Sequence, residues 1–224
     1  MEILSIGKKM KEDILEQLIE DWYVTNSGWF VKHNIKYRPN KNHQDYESKK
    51  DSVHSDIDIL AYSPKEKINN VHVISCKSWQ SGLNLKYLFS IIDSEANYND
   101  KTKAGFQKRE EWKQFRELVS DKWIDAFVKK IEEETGQRNF TYRVAATKII
   151  HDKKINYLEK IQNNEKIKKR FNKYNSKIKI EIIDLKTIIN QTLERINDKE
   201  TPVLEMTEIG RFIQLLEAAG IKIN

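Results

Sequence analysis

Apolar positions along the chain change period several times. Met10, Ile14, Leu15, Leu18, Ile19 and Trp22 recur at helical spacing, which predicts an amphipathic helix over about residues 8 to 24, ending before Asn26-Ser27-Gly28. The period then drops to two. Trp29 to Tyr37 reads as a strand, Ser55 to Tyr62 as a second and Val71 to Lys77 as a third. On the second of these, alternation puts Ile57 and Ile59 on one face and Asp56, Asp58 and Leu60 on the other. If Ser63 to Asn70 form a simple hairpin connection centred between Glu66 and Lys67, Asp58 lies opposite Ser75 and Asp56 opposite Lys77.

Helical spacing returns over Leu85 to Ala96 and from Phe106 to about Glu134, where Trp112, Phe115, Leu118, Val119, Trp123, Ile124, Phe127 and Ile131 form the apolar stripe. Asn97 to Lys103 reads as a loop. A long strand is predicted over Thr141 to Ile150 and another over Lys177 to Leu185, with a basic helical segment between them. Helices over Lys186 to Ile196 and Glu205 to Ala219 complete the order. Residues 38 to 53 carry almost no apolar content and read as a mobile loop. This succession describes an α/β fold, a mixed sheet flanked by helices, in one domain spanning 1–224 with a helical insertion at about 97–136. No internal repeat or linker divides it.

Composition narrows the setting. Charged residues make up 33% and hydrophobic residues 38% of 224, and no stretch approaches the roughly 20 apolar residues of a membrane span. The amino terminus runs into Lys8-Lys9-Met10-Lys11 without an apolar signal core, so a cytoplasmic, intracellular protein with no membrane partner is expected. The single Cys76 cannot close an internal disulfide, and His33, His43, His54, His72 and His151 are too dispersed to form a zinc site. Forty basic against 34 acidic residues give a net charge of +6, which suits a polyanionic partner. Lys153-Lys154, Lys166 to Arg170 and Lys173 to Lys179 are the segments that could grip phosphates; as the bland alternative, they are solubilising faces.

The chemistry gathers on the central hairpin. Hydrolysis of a phosphodiester needs a cation to polarise the phosphate, an activated water and stabilisation of the departing oxygen. Carboxylates on adjacent strands can hold magnesium, which prefers oxygen ligands, and a nearby lysine can orient or deprotonate the water. Asp58, the backbone carbonyl of Cys76 and Lys77 meet in one place if the hairpin register holds.

Leu15-Glu16-Gln17-Leu18-Ile19 on the first helix, Asp56-Ile57-Asp58-Ile59-Leu60 on one strand and Val73-Ile74-Ser75-Cys76-Lys77-Ser78-Trp79 on the next occur in an order that resembles the PD-(D/E)xK nuclease superfamily, and within it the Mrr-like restriction endonucleases. The resemblance covers roughly the first 80 residues through short, degenerate motifs. It implies a restriction-endonuclease-like sheet and a magnesium-dependent endonuclease acting on double-stranded DNA in restriction or defence, with manganese able to substitute. By position, it makes Asp58 the central metal ligand, Lys77 the catalytic lysine, and Glu16 a carboxylate for metal or its water, with Asp56 and the Cys76 carbonyl as neighbouring ligands. A homodimer is also implied.

Ser75 departs from the pattern, since the superfamily mostly carries Glu or Asp there and the Mrr-like branch often Gln. A serine hydroxyl brings no negative charge to a cation. Either Asp58 holds one metal with help from Glu16 or Asp56, or the site is impaired. Two other functions therefore stay open: a structure-specific nuclease for junctions or flaps, and a nucleic-acid-binding module that kept the fold without the chemistry. Glu16 also belongs to an acidic stripe with Glu12 and Glu20 that a solvated helix face explains. The Cys76 side chain reads as a small apolar group facing away from the site, Trp79 as core, and Gln80 as a group able to reach a phosphate.

Overall fold

The computed structural model describes residues 14–26, 28–94, 111–198 and 206–221. Helix α1 (Ile14–Val24) leads into β1 (Phe30–Tyr37), the short α2 (Ser48–Asp51), β2 (Ser55–Tyr62) and β3 (Val71–Lys77). After β4 (Leu83–Asn84) and α3 (Leu85–Ile92) come a 3-10 turn (Glu111–Phe115), α4 (Arg116–Val119), α5 (Asp121–Thr135), β5 (Phe140–Ala146) and β6 (Ile149–Ile150). Then follow α6 (Tyr157–Gln162), α7 (Glu165–Asn172), β7 (Ile178–Asp184), α8 (Leu185–Ile196) and α9 (Glu208–Ala218). The expected start of the first helix at residue 8, Ser27 of the turn after it, the end of the next helix at Ala96, the loop 97 to 103 and the helix starts at Phe106 and Glu205 lie outside the described residues.

The main sheet has five strands in the order β1-β2-β3-β5-β7. β1, β2 and β3 form an antiparallel meander, and β5 and β7 then add in parallel to β3. Helices cover both faces, so the mixed α/β architecture read from the periodicity is present. The first face buries Val71, Val73, Phe140, Tyr142 and Val144 against α3, α4, α5, α6 and α7. The second buries Ile59, Ala61, Ile74 and Ala145 against α1, α8 and α9. Residues 111 to 135, read as part of an insertion, form much of the cover of the first face, with Phe115, Ile124 and Ile131 fully buried. The apolar stripe there is core.

Strict alternation fails at one place on each of β1 and β2. Their pairs run in a single register, His33 with Ile59 and Ile35 with Ile57, but the pair between them, Asn34 with Asp58, is missing from the ladder. Asn34 has a φ of 52°, a left-handed conformation that asparagine tolerates better than most residues. Beyond this kink the strands turn over: Ile57 packs on the first face with Leu60, whereas Ile59 and Ala61 pack on the second. This corrects the expectation that Ile57 and Ile59 share a face. Simple alternation cannot foresee a kink, and this one is set by a single asparagine on the neighbouring strand.

Two other expectations change. The long strand over Thr141 to Ile150 is broken after Ala146, and Ile149–Ile150 pair in parallel with β4 in a separate two-stranded sheet. Gly82 makes this possible: its φ is 81°, and a Cβ there would stand 2.4 Å from Lys148 Cγ. Segment 38 to 53 contains α2, which anchors the connection through Asp51 to Lys122 of α5 at 2.7 Å, each side chain 4% exposed. Lys122 also donates to the carbonyl of Asp45 at 3.0 Å. A polar sequence is held here by a buried ion pair instead of apolar contacts.

On the second face Arg143 lies over the Trp22 ring and donates to Tyr23 Oη and to Glu181. Tyr23 Oη meets His72 Nδ1 at 2.8 Å, and the His72 ring stacks on Trp29. Burial and the Arg143 charge lower the His72 pKa to about 4.

Candidate active site

β2 and β3 pair from Tyr62 with Val71 to Ile59 with Ile74, the register of a hairpin centred between Glu66 and Lys67. Continued one step, it sets Asp58 across from Ser75. The ladder ends at Ile59 and Ile74, and the Cys76 N–H donates instead to Asp58 Oδ2 at 2.7 Å. The ladder opens at Asn34 and Asp58, and there the Asp58 carboxylate, in place of a strand carbonyl, accepts from the Cys76 amide.

Ser75 and Lys77 alternate on β3 with Val71 and Val73, so they belong to the first face. Lys77 Nζ donates to Ser75 Oγ at 2.7 Å and stands 5.2 Å above the centre of the Phe115 ring. Both residues lie at the carboxyl end of β3, where it runs parallel to β5, the end at which open α/β sheets commonly bind ligands.

Two side chains outside the hairpin complete this cluster. Glu117 of α4 is 7% exposed, and Tyr142 of β5 donates from its hydroxyl to Glu117 Oε1. The Ser75 hydroxyl, which accepts from Lys77, also acts to lower the pKa of Tyr142 and of Asp58. Burial raises the pKa of Asp58 and of Glu117 above the ordinary carboxylate values, and in both the Lys77 charge is the strongest influence in the opposite direction. The Asp58 charge also raises the pKa of Glu117, and the Asp56 charge raises that of Asp58. Sequence reading missed Glu117 and Tyr142. The available signal was an acid set among Phe115, Leu118 and Val119 in an apolar stripe.

The remaining sequence-derived residues are placed as follows. Asp56 is exposed and sits across from Lys36 on β1. Glu16 is half-buried in the first turn of α1, a helix that packs against the second face, away from Ser75 and Lys77. Cys76 packs its side chain on the second face and Trp79 packs against the first-face core, while Gln80 is exposed. No group of three or more His, Cys, Asp or Glu among the described residues is arranged to hold a metal ion. Magnesium needs fewer, since it is usually bound through one or two carboxylates with several waters retained. Asp58 and the Cys76 carbonyl position are chemically suited to that role.

An open groove of about 640 Å³ lies between the end of β1 and α5, lined by Lys36, Arg38, Lys41 and His54 and by Lys129 and Lys130, which are paired with Asp125 and with Glu133 and Glu134. The cross-strand pair of Lys36 with Asp56 connects it to the site. Of the basic segments read as phosphate grips, much is engaged internally: Arg170 donates to the carbonyls of Ile92 and Ser94, Lys166 to that of Asp93, and Lys173 to the Asp121 carboxylate. No helix among the described residues is long and apolar enough to cross a membrane. The chain matches no protein-family model, no curated protein and no solved structure, so the function of this cluster rests on its own residues.

Proposed function

We propose that this chain is a magnesium-dependent DNA endonuclease of the PD-(D/E)xK kind, cutting double-stranded DNA in a restriction or defence role. The observation that carries the proposal is the convergence of Asp58 and Lys77 at the open end of the β2–β3 hairpin, joined through the Cys76 amide and the Ser75 hydroxyl. An antiparallel hairpin continued by parallel strands, with helices on both sides, is compatible with the restriction-endonuclease-like fold.

In this reading Asp58 holds the cation, which when bound polarises the scissile phosphate and lowers the pKa of attacking water. The Cys76 amide fixes the carboxylate rotamer. Lys77, steadied by Ser75 and the Phe115 ring, orients the water and offsets charge developing on the phosphate. The groove bearing Arg38 and Lys41 supplies sequence-independent contacts to the DNA backbone. Plasmid cleavage with magnesium tests this: the wild type nicks or linearises DNA, chelation stops it, and Asp58→Ala abolishes it. Plasmids of varied sequence left intact by the wild type count against the proposal.

Ser75 favours a second reading. Its hydroxyl brings no charge to a cation and is engaged by Lys77, as in a binding module that has lost catalysis. DNA affinity independent of Asp58 and Lys77, with no cleavage, selects that reading.

A further inference from the structure

A cavity of about 350 Å³ lies at the end of the main sheet remote from Ser75 and Lys77. We propose that it binds a free nucleotide, with lysines taking the phosphates and with amide and apolar side chains taking the base. Its walls come from separate parts of the chain: the β2–β3 connection, the turn after α5, and the amino ends of β5 and β7, where Phe140 pairs with Ile178. Asn70 precedes β3 and Lys77 ends it, a run of roughly 20 Å of strand, so the cavity stands apart from the candidate active site.

Charge points to an anion. Lys67, Lys177 and Lys179 line the cavity, and no Asp or Glu is among its described lining residues. The groove between β1 and α5 differs, since Asp125 and Glu133 stand there with the lysines. Lys179 is engaged by Glu181 at 2.7 Å, whereas Lys67 and Lys177 pair with no carboxylate among the described residues. Ammonium groups around one cavity repel each other, and a phosphate relieves that repulsion while accepting their hydrogen bonds. The amides select what the phosphate is attached to. Asn139 Oδ1 accepts from the Lys177 backbone N–H at 2.9 Å, which fixes the side chain and leaves its NH2 group as a donor. Asn70 and Gln137 add amides that both donate and accept, the pairing that base edges satisfy. Phe140 and Ile178, 4% and 8% exposed, give an apolar wall, but Ile68 on the same cavity is 78% exposed. A planar ring seated there removes Ile68 from water. The volume is at the small end for a ligand site, with room for one nucleotide and not for a duplex.

Amide NMR of the full chain, titrated in turn with ADP, GDP, CDP and UDP, tests the proposal. EDTA in the buffer keeps a cation at Asp58 from recruiting the phosphates. At least one nucleotide is expected to shift the backbone amides of Asn70, Gln137 and Asn139 saturably, and to bind about tenfold more tightly than its nucleoside or pyrophosphate. Lys67→Gln with Lys177→Gln, at exposed positions, should weaken that nucleotide about tenfold or more. Ile68→Ser should weaken the nucleotide and leave pyrophosphate unchanged, and Arg38→Gln with Lys41→Gln should change neither. No shift of these amides with any of the nucleotides overturns the proposal. Pyrophosphate bound as tightly as the nucleotide overturns the base contacts and leaves a simple anion site. A short DNA duplex that shifts the same amides and displaces the nucleotide makes the cavity a contact for nucleic acid, and overturns the assignment to a free nucleotide.

Discussion

Lys77 donates to Ser75 Oγ at 2.7 Å, so the serine holds the ammonium that the proposed nuclease reading makes its catalytic group. Ser75→Ala removes that acceptor. Loss of one hydrogen bond to a charged group in a nearly buried place costs about 1.5–3 kcal/mol, readable as a lower urea midpoint at an unchanged slope. A midpoint equal to wild type contradicts the role given to Ser75.

The Asp51–Lys122 pair anchors the polar segment before β2. Asp51→Ala leaves the Lys122 ammonium buried with only the Asp45 carbonyl to accept from it, and should cost about 3–5 kcal/mol. Asp51→Leu combined with Lys122→Met should cost clearly less than Asp51→Ala alone. Urea unfolding of both variants checks the order.

His72 gives a pH dependence of definite sign. Its pKa falls from 6.5 to about 4 on folding, so between those values the unfolded chain binds more protons than the native one. Stability conferred by neutral His72 is present above pH 6.5 and is lost as the pH falls toward 4, by up to about 3 kcal/mol. The difference in unfolding free energy between wild type and His72→Gln should shrink by that order over this window. Taking the difference cancels carboxylates such as Asp58 and Glu117, whose raised values act with the opposite sign. A difference that stays flat with pH contradicts the buried neutral state.

The groove predicts a salt effect. Arg38→Gln with Lys41→Gln should weaken DNA binding alike across sequences and lower the slope of log affinity against log salt by about 2. An unchanged slope places the phosphate contacts elsewhere.

Much of the architecture was legible in the sequence. Period-two runs placed β2 and β3 at Ser55–Tyr62 and Val71–Lys77, and an even hairpin connection gave the register of their pairs from Tyr62 with Val71 to Ile59 with Ile74, short of the expected pairs of Asp58 with Ser75 and Asp56 with Lys77. What was not legible arises from contacts distant in sequence. The change of face at Asp58 is set by Asn34 on another strand. The anchoring of residues 38 to 53 depends on Lys122, 71 positions beyond Asp51. Glu117 comes to the cluster only because α4 folds over the first face and Tyr142 receives it there. Periodicity describes which side an element buries, and cannot say which distant side chain arrives against it.

Single-turnover cleavage of a pool of DNA duplexes of varied sequence, with and without magnesium, tests the central claim most directly. Wild type is expected to cut in a magnesium-dependent manner, and Lys77→Ala to cut about 10²-fold or more slowly while still binding the same DNA. Cleavage by Lys77→Ala at the wild-type rate, or no cleavage of any duplex by the wild type with magnesium, would contradict it.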